Sequence, residues 1–433
     1  MPRYVLAYSG GLDTSVMLKW LQETHGAEVV TFTADLGQKR ELLGVREKAL
    51  ATGASRAFVV DLRDEFVEDY VWPSLKAGAL YQGVYPMATS LGRPLIAKHA
   101  VRIAREVGAD AFVHGCTGKG NDQVRLEVGV RTLAPELRCL APLRDWELRS
   151  REEEIAWARA RGIPVAATVA SPYSIDENLW GMAIEAGALE DPWVAPPDDC
   201  WQLTVPPERA PDAGVELRIA FDAGIPVALD GTPLGGVALV EQLNTLAGAH
   251  GVGRLDVIED RLVGIKSREV YEAPAALVLH AAREALEQLV LDRDTRRLKT
   301  ALGAELARLV YDGLWFTPLR QAIVAFVDEA VRPLGGEVRL RLHRGRAVVV
   351  GRRSPQSLYD HALSTYGAGD VFDHGAAPGF IELFGLAGRT TAAVRRRARD
   401  VVDAARLEAA RAAAHDAGAA RVAAAPRRMG AAR

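Results

Sequence analysis

Short β-rich apolar runs and longer amphipathic segments take turns along the first part of the chain. Tyr4 to Tyr8 is mostly apolar, as a buried strand requires, and Thr14 to Gln22 sets Val16, Leu18, Trp20 and Leu21 among polar residues, as a helix packed on a sheet would. The same alternation predicts strands over Glu28 to Thr33, Arg56 to Asp61, Ala111 to His114 and Val165 to Val169. Helices are predicted over Glu41 to Thr52, Leu95 to Gly108 and Arg151 to Arg161. Repeated β-α-β order implies a parallel sheet, so residues 1–168 read as an α/β domain. Beyond it the pattern changes. Val215 to Leu229 alternates around an Ala223-Gly224 turn and Glu337 to Val350 around Arg344-Gly345, while helical periodicity covers Gly236 to His250 and Ala275 to Val331, with breaks near Gly313 and Pro318. That mixture predicts an α+β domain over 169–388. The Pro-rich stretch Asp191 to Pro211 reads as loop. An Ala/Arg-rich helix over 389–418 and a disordered tail over 419–433 complete the expected organisation.

Composition narrows the class. A chain of 433 residues can bury a substantial core in two or three domains, and 49% apolar with 25% charged residues is the balance of a soluble globular protein. The net charge of −3 hides an asymmetry: from Arg389 onward 11 arginines face 4 acidic residues, giving +7 and leaving −10 on the rest. An acidic body argues against a nucleic-acid partner, which needs a concentrated basic face, and the basic tail has no aromatic residue for base stacking. Cys116, Cys139 and Cys200 have neither CxxC nor zinc-ligand spacing and are expected to be reduced thiols. Met1-Pro2-Arg3 runs straight into the first strand, and no apolar run approaches membrane-spanning length. The expectation is a cytoplasmic protein with no membrane partner.

Candidate chemistry gathers in two stretches, each following a predicted strand. The first, Ala7-Tyr8-Ser9-Gly10-Gly11-Leu12-Asp13-Thr14-Ser15, reads as a phosphate grip. Its glycines let the backbone turn tightly, the first N–H groups of the next helix point at an anion, and Ser9, Thr14 and Ser15 add donors. The bland alternative is a turn whose Ser and Gly only cap the helix. Neither the Walker spacing nor the dinucleotide fingerprint is present. Ala34, at the end of the second strand, is placed for an adenine or ribose contact, because ligands of open α/β sheets bind beyond the carboxyl ends of strands. The second stretch is His114-Gly115-Cys116-Thr117-Gly118-Lys119-Gly120-Asn121-Asp122-Gln123-Val124-Arg125. Asp122 can accept from an ammonium while Thr117 and Lys119 receive a carboxylate, a pairing suited to a zwitterionic amino acid; otherwise it is a solvated polar loop. The segment Tyr81 to Pro94 reads as a further polar loop.

Ser-Gly-Gly-Leu-Asp-Thr-Ser resembles the PP-loop of the ATP pyrophosphatases. Together with Phe32 to Gln38, Tyr85 to Pro94, His114 to Arg125, Ser174 to Gly181, Glu259, Lys266-Ser267-Arg268, Leu314 to Arg320 and Val350 to Pro355, it is similar to the argininosuccinate synthase family from residue 3 to about residue 390. The resemblance implies a PP-loop, Rossmann-like nucleotide-binding domain followed by a synthetase domain. It also implies a reaction in which ATP adenylates the ureido oxygen of citrulline, pyrophosphate leaves, and the amine of aspartate displaces AMP. By that resemblance Ala7, Tyr8, Ser9, Gly10, Gly11, Leu12, Asp13, Thr14 and Ser15 hold ATP with Ala34 and Gly115, and Thr117, Asn121 and Asp122 hold aspartate. Tyr85, Ser90, Asn121, Arg125, Ser174, Glu259 and Tyr271 surround citrulline. Asp13, Arg93 and Lys119 are the expected catalytic group, with Arg93 on pyrophosphate. Mg²⁺ is the expected companion of ATP, no protein residue is assigned as a metal ligand, and a homotetramer is implied.

Two places depart from the family. Ala183 stands where a hydroxyl is usual, and Glu269 and Ala275-Ala276 replace residues of a glycine-rich pattern. These changes fall on the acceptor side. They raise the alternative of a paralogue that joins aspartate to a different ureido or amide compound; a nucleotide-binding regulator without turnover is a third reading.

Overall fold

Five strands, β1 (Arg3–Ala7), β2 (Glu28–Asp35), β3 (Arg56–Asp61), β4 (Ala111–Val113) and β5 (Arg138–Leu140), run parallel in the order β3-β2-β1-β4-β5. The structure is a computed structural model that describes residues 1–39, 42–148, 150–164 and 173–423, with side chains through residue 417. The expected strand over Val165 to Val169, the start of the expected helix at Glu41, and the tail from residue 424 lie outside the described residues. Both faces of the central strands β1, β2 and β4 are buried, while β3 keeps Arg56, Val59 and Asp61 exposed. Val5, Phe32 and Phe112 pack with the helix Ala88–Val107 on one side, while Leu6, Val29 and Val113 meet Val16, Leu18 and Leu21 of the helix Leu12–His25 on the other. Strand order reverses between β1 and β4, so the carboxyl ends of these two strands flank the crevice in which open α/β sheets bind ligands.

Downstream, β6 (Ser174–Asn178), β7 (Gly181–Glu185), β11 (Arg254–Asp260) and β12 (Lys266–Glu272) form an antiparallel sheet in the order β11-β12-β7-β6. β8 (Val215–Asp222), β9 (Ile225–Leu229), β10 (Thr232–Pro233), β13 (Gly336–His343) and β14 (Arg346–Arg353) form a second, in the order β10-β9-β8-β13-β14. Helices Gly236–Ala249, Pro274–Val290, Arg293–Tyr311 and Pro318–Ala330 accompany them. The β6-β7 turn is pinned to the first domain: Leu179 N–H donates to Leu36 O at 2.8 Å, the Trp180 indole donates to Pro86 O at 3.0 Å, and Asn178 Nδ2 donates to Ala88 O at 2.8 Å. These bonds hold the small antiparallel sheet against the Phe32-to-Gln38 and Tyr85-to-Ala88 segments.

Several expected boundaries move, each for a physical reason. The helix expected from Leu95 begins at Ala88, so Ser90 and Arg93 are helical and Pro94 lies inside the helix. Proline removes one backbone donor there, but Ala88, Leu91, Gly92 and Leu95 are all buried, and their packing outweighs one lost bond. The second helix starts at Val45, after Gly44. The long helical region breaks additionally at Leu291-Asp292, where the Asp292 carboxylate accepts from the N–H groups of Asp294 and Thr295 and starts a new helix. The hairpins β6-β7 and β11-β12 are further strands, which the polar residues they turn to the cleft, among them Ser174, Asp176, Glu185, Glu259 and Glu269, hide from a search for apolar runs.

The chain divides into two compact units, Met1–Tyr359 and Asp360–Arg433. The second unit contains the helices His361–Ser364, Ala377–Phe384 and Leu386–Ala423. Its long helix runs beyond both expected ends at 389 and 418, since alanine and arginine are strong helix formers and no proline intervenes before Pro426.

Candidate active site

The grip forms as β1 gives way to its helix. Tyr8 N–H still donates to Phe32 O at 2.9 Å, extending the sheet by one bond, and Gly10 then turns the chain at φ 78°, a left-handed conformation that costs other residues dearly. Gly11 is the N-cap residue and no side chain among the described residues caps the helix, which leaves the first-turn N–H groups available to an anion. Hydroxyls are pre-set around the turn: Ser9 Oγ lies 3.3 Å from Thr14 Oγ1 and accepts from Gly11 N at 3.3 Å, while Ser15 Oγ donates to Gly11 O at 2.7 Å and lies 3.0 Å from the Tyr8 hydroxyl. The Lys48 ammonium, on the next helix, hydrogen-bonds Gly10 O and brings a cation that the sequence reading missed. Asp13 is exposed and meets Glu154, whose carboxyl is pushed up to about 8 by burial and then by the Asp13 charge. Asp13 does not line the cleft.

At the end of β4 the chain turns through Gly115 and Cys116 into the helix Asp122–Leu133. His114 Nδ1 accepts from Cys116 N at 3.2 Å, so Nε2 carries the proton toward Glu127, 3.3 Å away. Glu127 is held at about 2 by its His114 hydrogen bond and by Arg144. Asp122 is the hinge of the charge cluster. Its Oδ2 accepts from Arg93 at 2.8 Å and its Oδ1 from Arg125 at 3.0 Å, while Arg93 also pairs with Asp176 on β6. Burial opposes the charge on Asp122, but Arg93 and Arg125 outweigh it and hold the carboxyl at about 2. Asp176 has fewer cations, and burial raises its pKa. The Cys116 thiol is pushed up to about 12 by burial and then by Asp122, which keeps it protonated.

The antiparallel sheet supplies the opposite wall. Register places Asp176, Ala183, Tyr271 and Leu255 in one row across β6, β7, β12 and β11, so the position where the family usually has a hydroxyl sits between a carboxylate and a phenol. Tyr85 and Tyr271 stack at 3.8 Å. Tyr271 donates to Glu259 Oε2 at 2.7 Å, and the buried Tyr311 donates to the other oxygen at 2.6 Å. Arg261, at the end of the β11-β12 hairpin, bridges Glu185 and Glu269. Burial and the neighbouring Glu185 push Glu269 up to about 8 despite Arg261.

These groups share one cleft of about 470 Å³, the size of an ordinary small-molecule site. Of the expected residues, Ala7, Tyr8, Ser9, Thr14, Ala34 and Gly115 line it at the grip end. Arg93, Asn121, Asp122 and Arg125 line its middle, and Tyr85, Ser174, Glu259 and Tyr271 its far wall. Gly10, Gly11, Leu12, Asp13 and Ser15 support the grip without lining the cleft. Thr117 and Lys119 are exposed beside it. Ser90 is wholly buried, its hydroxyl without a partner among the described residues, and its neighbour Thr89 lines the wall instead. Asp176, Glu185, Arg261 and Glu269 also line the cleft and had no place among the expected site residues. Strand alternation from Ser174 could have pointed to Asp176; nothing local marks Arg261 or Tyr311. Among the described residues no group of three or more His, Cys, Asp or Glu is placed to hold a metal ion, and no helix is long and apolar enough to cross a membrane.

Residues 3–164 match the family model of the arginosuccinate synthase N-terminal HUP domain, and residues 173–391 that of the arginosuccinate synthase C-terminal domain. Curated relatives span nearly the whole chain. The argininosuccinate synthase of Chlorobium chlorochromatii (strain CaD3) is 53% identical over 388 residues, 90% of this chain and 97% of that protein. That of Chlorobaculum tepidum (strain ATCC 49652 / DSM 12025 / NBRC 103806 / TLS) is 54% identical over 389 residues, with the same coverage. That of Chlorobium limicola (strain DSM 245 / NBRC 103803 / 6330) is 54% identical over 388 residues, again with the same coverage.

Proposed function

The chain belongs to the argininosuccinate synthase family, and from that premise we propose that its cleft joins citrulline to aspartate with cleavage of ATP to AMP and pyrophosphate. The ureido oxygen of citrulline attacks the α-phosphorus and the bond to pyrophosphate breaks. The aspartate amine then attacks the ureido carbon, loses a proton, and AMP departs with the former ureido oxygen. The observation that carries this reading is the single cleft in which the grip, the Asn121-Asp122-Arg125 cluster and the Glu259-Tyr271 wall meet.

In this division Ser9, Thr14 and the helix N-terminus behind Gly11 bind the phosphates, Ala34 and Gly115 bound the adenosine, and Asn121 and Asp122 receive aspartate. Among the described residues Arg125 has a buried Nη2 with no partner, a donor suited to a ligand carboxylate on the acceptor side with Tyr85, Ser174, Glu259 and Tyr271. Arg93 pairs with Asp122 and Asp176 and is the cation assigned to pyrophosphate. Thr117 and Lys119 stand on the exposed rim, from which they reach a carboxylate if the rim closes. No nucleophile on the protein is needed, so rate enhancement comes from juxtaposing three reactants and stabilising charge on phosphate. Mg²⁺ would enter with ATP, held by phosphate oxygens and water. Ala183 and Glu269 gain no support as marks of another acceptor, since the relatives spanning both are named for the same activity. A cytoplasmic homotetramer is part of the proposal; a light-scattering mass of one subunit would refute the assembly. The reaction itself is tested by incubating the purified chain with ATP, aspartate and citrulline: AMP and pyrophosphate should accumulate beyond one equivalent per subunit only when all three are present, and release without citrulline dependence would refute it.

A further inference from the structure

We propose that Tyr311 is a positioning residue that couples the aspartate side of the cleft to the acceptor side, its hydroxyl joining Asn121 and Glu259 in one hydrogen-bonded chain. The proposal rests on the ligase reading above. Tyr311 ends the helix Arg293–Tyr311, is 1% exposed, and does not line the cleft, so whatever it does it does through other residues.

The geometry of its hydroxyl is unambiguous. Asn121 Nδ2 donates to it at 2.8 Å, and it donates to Glu259 Oε1 at 2.6 Å. An amide nitrogen can only donate and a carboxylate can only accept, so the one proton of the phenol must point to Glu259. Burial, then the Glu259 charge, raises its pKa far above the usual phenol value, so that proton stays in place. Each neighbour is fixed at its other end. Asn121 Oδ1 accepts from Leu262 N at 2.9 Å, on the β11-β12 connection, and Glu259 Oε2 accepts from Tyr271 at 2.7 Å. Tyr311 also holds Arg125: its backbone carbonyl accepts from Arg125 Nε at 2.8 Å, and the guanidinium carbon lies 4.6 Å from its ring centre. Tyr81 stacks on the ring at 3.5 Å. One buried side chain therefore sets the orientation of Asn121 for aspartate and of Glu259 and Arg125 for the acceptor. Removing the phenol oxygen leaves a donor on Asn121 and an oxygen on Glu259 unpartnered in a buried space.

The test uses Tyr311→Phe, which keeps the ring stack and the backbone acceptor and deletes only the hydroxyl. Aspartate and ATP affinities are measured by equilibrium titration, with Glu259→Gln as a reporter in both backgrounds. One buried hydrogen bond corresponds to about five- to tenfold, so Tyr311→Phe should weaken aspartate by about that factor and leave ATP within about twofold. Glu259→Gln, although on the acceptor wall, should also weaken aspartate in the unaltered protein and add nothing further to Tyr311→Phe. Unchanged aspartate affinity in Tyr311→Phe, or losses that multiply independently, would overturn the coupling. A merely structural role would weaken ATP and aspartate alike with a lower melting temperature, which also overturns it. Should Tyr311→Phe fail to fold, Glu259→Gln alone still decides, because an aspartate affinity indifferent to it contradicts the chain. Citrulline-dependent pyrophosphate release by the unaltered protein is followed in parallel: its absence would sink the ligase reading while the aspartate titrations still report on Tyr311.

Discussion

Arg93 is the point at which a single substitution should separate chemistry from scaffolding. Its guanidinium is 15% exposed and serves two carboxylates, Asp122 at 2.8 Å and Asp176. Arg93→Gln removes two charge-assisted bonds, each worth about 1.5–3 kcal/mol. Two features reduce the total: Arg125 still pairs with Asp122 at 3.0 Å, and the Asp176 side chain is 36% exposed, so water recovers part of the loss. The net cost is about 2–4 kcal/mol, in the range for removing one partner of a partly buried pair. Expressed in the transition state, that is about 30- to 1000-fold in kcat/KM for aspartate. The assay is steady-state pyrophosphate release with aspartate varied. Acid unfolding supplies a second readout. Asp122 is held at about 2 against a reference of 3.8, so its pairing stabilises the fold above pH 3.8 and is lost as pH falls through 2; in Arg93→Gln that contribution shrinks and unfolding moves to higher pH. Adding Asp176→Asn should return part of the stability by removing an uncompensated carboxylate. A kcat/KM for aspartate within threefold of the unaltered value, with an unmoved acid limb, would refute this reasoning.

Other substitutions probe the walls. Glu269→Gln should raise the melting temperature at pH 8.5 and leave it nearly unchanged at pH 4.5: a carboxyl raised from 4.5 to about 8 withdraws stability progressively across that window, and the amide does not titrate. Thermal denaturation across pH checks the divergence. Ala183→Ser puts a hydroxyl between Asp176 and Tyr271 and should lower the acceptor KM by about fivefold, one hydrogen bond's worth, with the ATP KM unmoved. Gly313→Ala should cost about 1–3 kcal/mol in denaturant unfolding and raise the acceptor KM, because the added carbon meets Arg125 Cα at 2.7 Å at a φ of 77°.

What could be read from the chain follows from how each feature is encoded. The grip and the His114-to-Arg125 stretch were legible because their residues are contiguous and each follows a strand, so local pattern and chemistry coincide. The parallel strands β1 and β2 were legible because both faces of that part of the sheet are buried and the runs are apolar, and the half-exposed strand β3 because Ala57, Phe58, Val59 and Val60 form a short apolar run. The far wall was harder. Ser174 and Asp176 alternate with Ile175 and Glu177 on a short polar strand, and the residues that complete their face, Ala183, Glu269 and Tyr271, arrive through pairing with strands up to about a hundred residues away. Glu259, Tyr271 and Ser174 were named only through family resemblance. Tyr311 and Arg261 act on site residues from a helix end and a hairpin end, where nothing in the local sequence announces a role. Pro94 misled for a plain reason: it ordinarily breaks a helix, and here a buried helix face overrides it.

The central claim is that the ureido oxygen of citrulline is the nucleophile toward the α-phosphorus. Citrulline labelled with ¹⁸O in the ureido group, incubated with this protein, ATP and aspartate, tests it directly by mass spectrometry of the products. One label should appear in the phosphate of AMP for each argininosuccinate formed, and none in pyrophosphate. AMP free of the label, or label found in pyrophosphate, would contradict the account.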